Sequence, residues 1–185
     1  MSFLLGRDGK ISVLRASLLA IAVGALFIVG ALISFQIDRA SRQSPLDVDP
    51  YPGAESWGER TTGRTRRSVY YLIEGADAET VAAYYQQKLN DFYGTNPEAE
   101  QNKPEDQREP NIKCKRFPDT GNFSDYQPDT GKPPYQTTCT FDRSGFQTTQ
   151  VTVVIIQPGA SNSSDPNFVN TEGKTVVEYQ QEWQP

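Results

Sequence analysis

Positions 16–37 form a run of 22 residues without a charged side chain. As one α-helix such a run is roughly 33 Å long, against a bilayer hydrocarbon core of about 30 Å. Everything after it is polar and rich in Tyr, Thr, Gln and Pro. The chain therefore divides into a cytoplasmic N-terminal segment (1–15), a transmembrane helix (16–37), a linker (38–50) and an extracytoplasmic domain (51–185).

Orientation follows from the flanks. Arg7, Lys10 and Arg15 precede the run, and Arg39 and Arg42 follow it. The excess of basic residues favours a cytoplasmic N-terminus. The segment ahead of the run is too short to be a domain, and both cysteines lie beyond it, in the part that reaches an oxidising compartment. The expected location is the plasma membrane, with the C-terminal domain periplasmic or otherwise extracytoplasmic. A removable signal peptide is the rival reading, with Val29-Gly30-Ala31 as the small-residue cleavage site. The apolar run continues through Leu32, Ile33, Phe35 and Ile37, which favours an uncleaved anchor.

Within the anchor, Ala16, Ala20 and Gly24 recur every four residues, and Ala31 lies one heptad after Gly24. Small residues at this spacing let a second helix backbone approach closely, so dispersion across the contact favours association in lipid. No ionisable group lies inside the run, which leaves it without a proton relay or voltage sensor.

Composition narrows the chemistry. The chain has no histidine, its one methionine is Met1, and its cysteines number two. The usual haem ligands, four-cysteine iron–sulfur sites and cysteine- or histidine-based zinc sites are therefore not provided for. A Ser-His-Asp or Cys-His catalytic arrangement cannot be built either. After the anchor, 15 Lys and Arg face 22 Asp and Glu, a net of −7. Such a surface disfavours nucleic acid, whose binding depends on neutralising phosphates. About 135 residues suffice for one core.

Local pattern then gives the elements. Positions 68–74 are dense in β-branched and aromatic residues and predict a strand ended by Gly75. Asp77 can cap a helix over 78–93, along which Val81, Tyr85, Leu89 and Phe92 form one apolar stripe, with Gly94 as the stop. Positions 95–111 predict a long solvated loop. Further strands are expected at 112–117, 135–142, 146–157 and 174–183. In the last, Thr175, Val177, Tyr179, Gln181 and Trp183 share one face, and Glu178, Gln180 and Glu182 the other. The expected fold is α+β: after the transmembrane helix, a small two-layer domain with an antiparallel sheet of about five strands and one packed helix.

Four groups of residues invite a functional reading. Cys114 and Cys139 are expected to form a disulfide that closes a loop of about 25 residues and contributes roughly 3 kcal/mol. Arg60, Arg64, Arg66 and Arg67 form the one basic cluster of the domain, suited to docking on an acidic subunit or on anionic headgroups, or else to plain solvation. The triplets Asp119-Thr120-Gly121 and Asp129-Thr130-Gly131 offer oxygen ligands for calcium, but are equally good turn sequences. Tyr70, Tyr71, Tyr84, Tyr85, Tyr93, Tyr126 and Tyr135 could line a ligand contact or fill the core. Asn122 and Asn162 head glycosylation triplets, a frequent chance pattern.

Residues 51–92 resemble a recurring design in small bacterial envelope proteins and lipoproteins of unknown function. The resemblance rests on the Tyr51-Pro52-Gly53-Ala54 opening, a strand, and the helix sequence Ala-Glu-Thr-Val-Ala-Ala-Tyr-Tyr-Gln-Gln-Lys-Leu at 78–89. It implies an α+β envelope domain and carries over no catalytic residue. In general plan the chain also resembles the single-pass accessory subunits of bacterial respiratory or photosynthetic electron-transfer complexes, such as alternative complex III. The expectation is a non-catalytic accessory subunit without cofactor, whose partners are the membrane and other transmembrane and extracytoplasmic subunits. A tethered binding module for a cell-wall or extracellular ligand is the alternative.

Overall fold

A computed structural model describes residues 13–94, 113–145 and 148–184. The chain separates into two units, 1–43 and 44–185. The first contains helix α1, Val13–Ser41. Its stretch Ser17–Ser41 is long and apolar enough to cross a membrane. The helix thus runs past the expected end at position 37, through a polar last turn where Asp38 pairs with Arg42 at 2.9 Å.

The second unit is an α+β head. Its strands are β1 (Glu55–Thr61), β2 (Arg66–Ile73), β3 (Lys115–Phe117), β4 (Gln136–Asp142), β5 (Thr149–Pro158) and β6 (Thr175–Gln184), with helix α2 (Ala78–Tyr93) between β2 and β3. They form one antiparallel sheet in the order β1-β2-β6-β5-β4-β3. Helix α2 carries the chain across the sheet to its far edge, and the β3–β6 meander returns to pair β6 with β2.

The sheet has six strands, one more than expected. The extra strand is β1, whose sequence Glu-Ser-Trp-Gly-Glu-Arg-Thr has no apolar alternation because every one of its residues is exposed. It is a strand through backbone pairing with β2 alone, and a bulge between Ser56 and Gly58 breaks the register. At the other edge the expected strand over 112–117 shrinks to three residues. The expected strand over 146–157 starts at Thr149, and positions 146–147 and the loop at 95–111 lie outside the described residues.

Helix α2 follows its sequence signals. The Asp77 side chain accepts from Thr80 N at 2.7 Å, and that backbone N–H holds its carboxyl below the usual carboxylate range. Gly94 closes the helix at φ 63°. Ala78, Val81, Ala82, Tyr85 and Leu89 are buried against one face of the sheet, where Ile73, Val177, Tyr179, Val154, Ile156, Cys139 and Phe141 meet them. Phe92, at the end of the stripe, is 37% exposed and stands edge-on to Phe141.

Two residues of the expected linker, Leu46 and Val48, pack into this core. Positions 38–41 are helical, and Leu46 and Val48 are both 7% exposed. Only Arg42 and Gln43 separate the last residue of α1 from Ser44, where the head begins. Residues 44–51 form an extended strap over the covered face of the sheet. The sequence read as a tether because it lacks periodicity, but a single extended strand-like strap buries alternate residues without any helical stripe.

Candidate functional site

The strap explains the most unusual feature of the covered face, which is its polar end. Gln150, Thr152 and Gln181 are at most 4% exposed. Each donates to a strap carbonyl. Gln150 Nε2 reaches Ser44 O at 2.9 Å, while Thr152 Oγ1 and Gln181 Nε2 both reach Leu46 O at 2.8 Å. Gln181 Oε1 in turn accepts from Arg67 Nε at 2.6 Å. Buried polar groups are tolerable when paired, and here their partners are the backbone groups of a segment that crosses them.

Tyrosines continue the same clasp. Tyr51 N donates to Tyr85 Oη at 3.0 Å, the two hydroxyls of Tyr85 and Tyr179 are 2.8 Å apart, and Tyr179 Oη donates to Asp49 O at 3.3 Å. Either hydroxyl can donate across the Tyr85–Tyr179 contact. Tyr84 Oη donates to Pro50 O at 3.2 Å, and Lys88 pairs with Asp49 at 2.7 Å. Burial pushes the Tyr85 hydroxyl up to about 12 and raises that of Tyr179 further. Tyr71, Tyr84 and Tyr85 therefore hold the core and the strap. Tyr93 accepts from Asp142 N, and Tyr135 stacks beneath Arg116 at 3.9 Å. Tyr70 lies on the other face of the sheet, where it donates to Glu178 at 3.0 Å. Of the seven expected tyrosines, Tyr126 alone borders a cleft at the apex.

The opposite face of the sheet has no layer over it among the described residues. On it β5 presents Val151, Val153 and Ile155, β2 presents Leu72, and β6 presents Val176, all half-buried. Tyr70–Glu178 and Arg66–Glu182 border this aliphatic centre.

The arginine cluster lies at one end of the sheet. Arg66 Nη2 is 2.8 Å from Glu182, and Arg67 is within 3.9 Å of Glu59. Arg60 sits at the end of β1 opposite Ser68, and Arg64 in the connecting turn; both are exposed. The structure thus gathers the four on one hairpin but commits two of them to partners on the sheet.

At the other end, loops 118–134 and 159–174 enclose an open cleft of about 510 Å³ bordered by Tyr126, Asp129, Lys132, Asn162, Asn170 and Glu172. Both Asp-Thr-Gly triplets are turns. Asp129, at φ 60°, accepts from Ser163 N at 2.8 Å, and Gly131 N donates to Ser161 O at 2.7 Å. Gly121 O accepts from Arg116 Nη2 at 2.9 Å. No group of three or more His, Cys, Asp or Glu side chains able to hold a metal occurs among the described residues. Gly159 is required by packing, since an added Cβ would lie 1.7 Å from Thr171 O. Asn162 Oδ1 accepts from its own triplet's Ser164 at 2.7 Å, and Asn122 is exposed.

Cys114 and Cys139 form the expected disulfide, which ties the start of the short edge strand to buried β4. On α1, Ala20 and Ala31 are exposed and Gly24 has no other atoms within 4 Å of an added Cβ. Ala16 falls within the same helix. Sequence reasoning passed over Gln150, Thr152 and Gln181. One signal for them existed: Gln181 stands on the apolar side of the β6 alternation, where a polar residue needs a buried partner. No protein family, curated protein or solved structure matches the chain.

Proposed function

We propose that this protein is a non-catalytic accessory subunit of a larger bacterial membrane complex, held by α1 and bracing an extracytoplasmic partner with its head. The observation that carries the reading is the aliphatic centre of the open sheet face. Val151, Val153 and Ile155 form a half-buried aliphatic row between polar residues of β4 and β6, with Leu72 and Val176 paired beyond its end. Val151 and Val153 also line a shallow cleft of about 460 Å³ with Arg66, Gln180 and Glu182, so an apolar strip rimmed by polar groups is what a partner would meet here. On α1 the small residues Ala16, Ala20, Gly24 and Ala31 are, in this reading, the face for a neighbouring transmembrane helix. The head is the periplasmic part in this reading, and a respiratory or photosynthetic electron-transfer complex is the kind of assembly its plan resembles.

Extraction of the intact chain in mild detergent tests this. Copurification of defined subunits at fixed stoichiometry is expected, and Val153→Glu should release them. A monodisperse monomer with no partner would remove the reading. A second reading, a tethered module for an extracellular ligand, is favoured by the polar apical cleft around Asp129 and Asn170. Saturable binding that Asn170→Ala abolishes and Val153→Glu leaves intact would select it.

A further inference from the structure

We infer that the basal end of the head is a docking surface for anionic phospholipid headgroups of the bilayer that holds α1. The first ground is where the chain enters the head. Ser44 O accepts from Gln150, Gln150 lies opposite Trp183 in the sheet, and Trp183 N donates to Thr65 O in the β1–β2 turn. The entry point and the arginine-bearing turn are therefore at the same end of the sheet. The β4–β5 connection with Arg143 is there too, since Arg143 N donates to Gln150 O. Two residues of chain separate this end from the last residue of α1, so an embedded helix delivers the chain directly to it.

The second ground is charge. Arg66 and Arg67 are neutralised within the head by Glu182 and Glu59. Arg60, Arg64 and Arg143 are exposed, and none of the three has a carboxylate within ion-pair distance among the described residues. Arg60 stands on β1, Arg64 in the β1–β2 turn and Arg143, next to exposed Asp142, in the β4–β5 connection, all at this end of the sheet. At the opposite end Glu74 and Asp125 are paired with Lys174 and Lys132, while Asp129, Asp165 and Glu172 are exposed there; at the basal end Asp142 is the exposed carboxylate without an ion-pair partner among the described residues. An anionic surface attracts this arginine-bearing end. Each arginine near such a surface favours the docked state roughly fivefold, and the attraction fades over a Debye length of about 8 Å at physiological salt.

The occupant is lipid rather than an acidic protein because the covalent path from the bilayer leads to this end. The inference rests on α1 as a membrane span, not on any partner subunit. It therefore survives a failed copurification.

The test uses the full chain in nanodiscs of phosphatidylcholine alone or of phosphatidylcholine with phosphatidylglycerol, read by amide hydrogen exchange. Residues 61–66 and 142–145 are expected to exchange several-fold more slowly with phosphatidylglycerol, with the slowing reversed by high salt and loops 159–174 unchanged. Arg60→Gln, Arg64→Gln and Arg143→Gln together should abolish the difference. Equal exchange in both lipids would overturn the inference, as would slowing that persists in high salt or that appears only when another protein is added. Should the triple variant misfold, the lipid comparison on the unmodified chain decides alone. Failure of the chain to insert into nanodiscs would instead overturn the membrane span itself.

Discussion

On β5 the usual relation between polarity and burial is partly reversed between the two faces of the sheet. On the covered face, β5 places Gln150 and Thr152 beside Val154 and Ile156, and all four are buried. On the open face the same strand shows Val151, Val153 and Ile155, an uninterrupted aliphatic row that is only half-buried. The hydrophobic effect alone would turn β5 over. What holds it is the strap: its carbonyls at Ser44 and Leu46 need donors, and Gln150, Thr152 and Gln181 supply them. A buried polar residue is informative when its partner can be named, and a half-buried aliphatic row when no layer covers it among the described residues.

The sharpest way to break this contrast is to empty the strap. Leu46→Ala with Val48→Ala should cost about 4 kcal/mol, since both side chains are deleted from a packed core. A large drop in the denaturant midpoint of the head is expected, and an unchanged midpoint would show that the strap does not hold the fold. Next comes Gln181→Leu against its neighbour Gln180→Leu. The first leaves Arg67 Nε without its acceptor and Leu46 O with one donor fewer, at about 2–3 kcal/mol. The second, on the open face, should stay within about 0.5 kcal/mol. Equal effects would erase the distinction between the faces.

Alkaline titration probes the tyrosine clasp on the covered side. Burial raises Tyr85 to about 12 from an ordinary 10.0, so the unfolded state releases its proton first as pH rises. The folded state then binds more protons than the unfolded one, and stability falls. Its contribution is fully present below pH 10 and declines between about pH 10 and 12, by at most about 2–3 kcal/mol. A Tyr85→Phe head should show a flatter stability profile over that window. Ile155→Thr on the open face should cost under about 1 kcal/mol of folding stability. Its consequence should appear as lost copurification of partners, which separates an interface residue from a core residue.

How far sequence reaches is visible element by element. Helix α2 was legible because its cap, stripe and stop are all local, within the 16 residues of the helix and its flanks. The same holds for the apolar run of α1 and the alternation of β6. The cysteine pair was legible by count. Strand β1 was not, because nothing on it is buried and only the neighbouring strand defines it. Nor was the strap, whose donors lie 106 and 135 residues away along the chain.

What the sequence by itself determined, then, is the division into an apolar rod and an acidic head, the class of the head, and its disulfide. The tertiary structure alone decided which face of β5 turns inward, that Leu46 and Val48 belong to the core, and that Arg60, Arg64 and Arg143 lie at the end of the sheet where the chain enters. The reason is physical. Helix signals and apolar length act between residues a few positions apart, whereas strand pairing and side chain-to-carbonyl bonds are satisfied across the fold and leave no periodic trace in the segments they join.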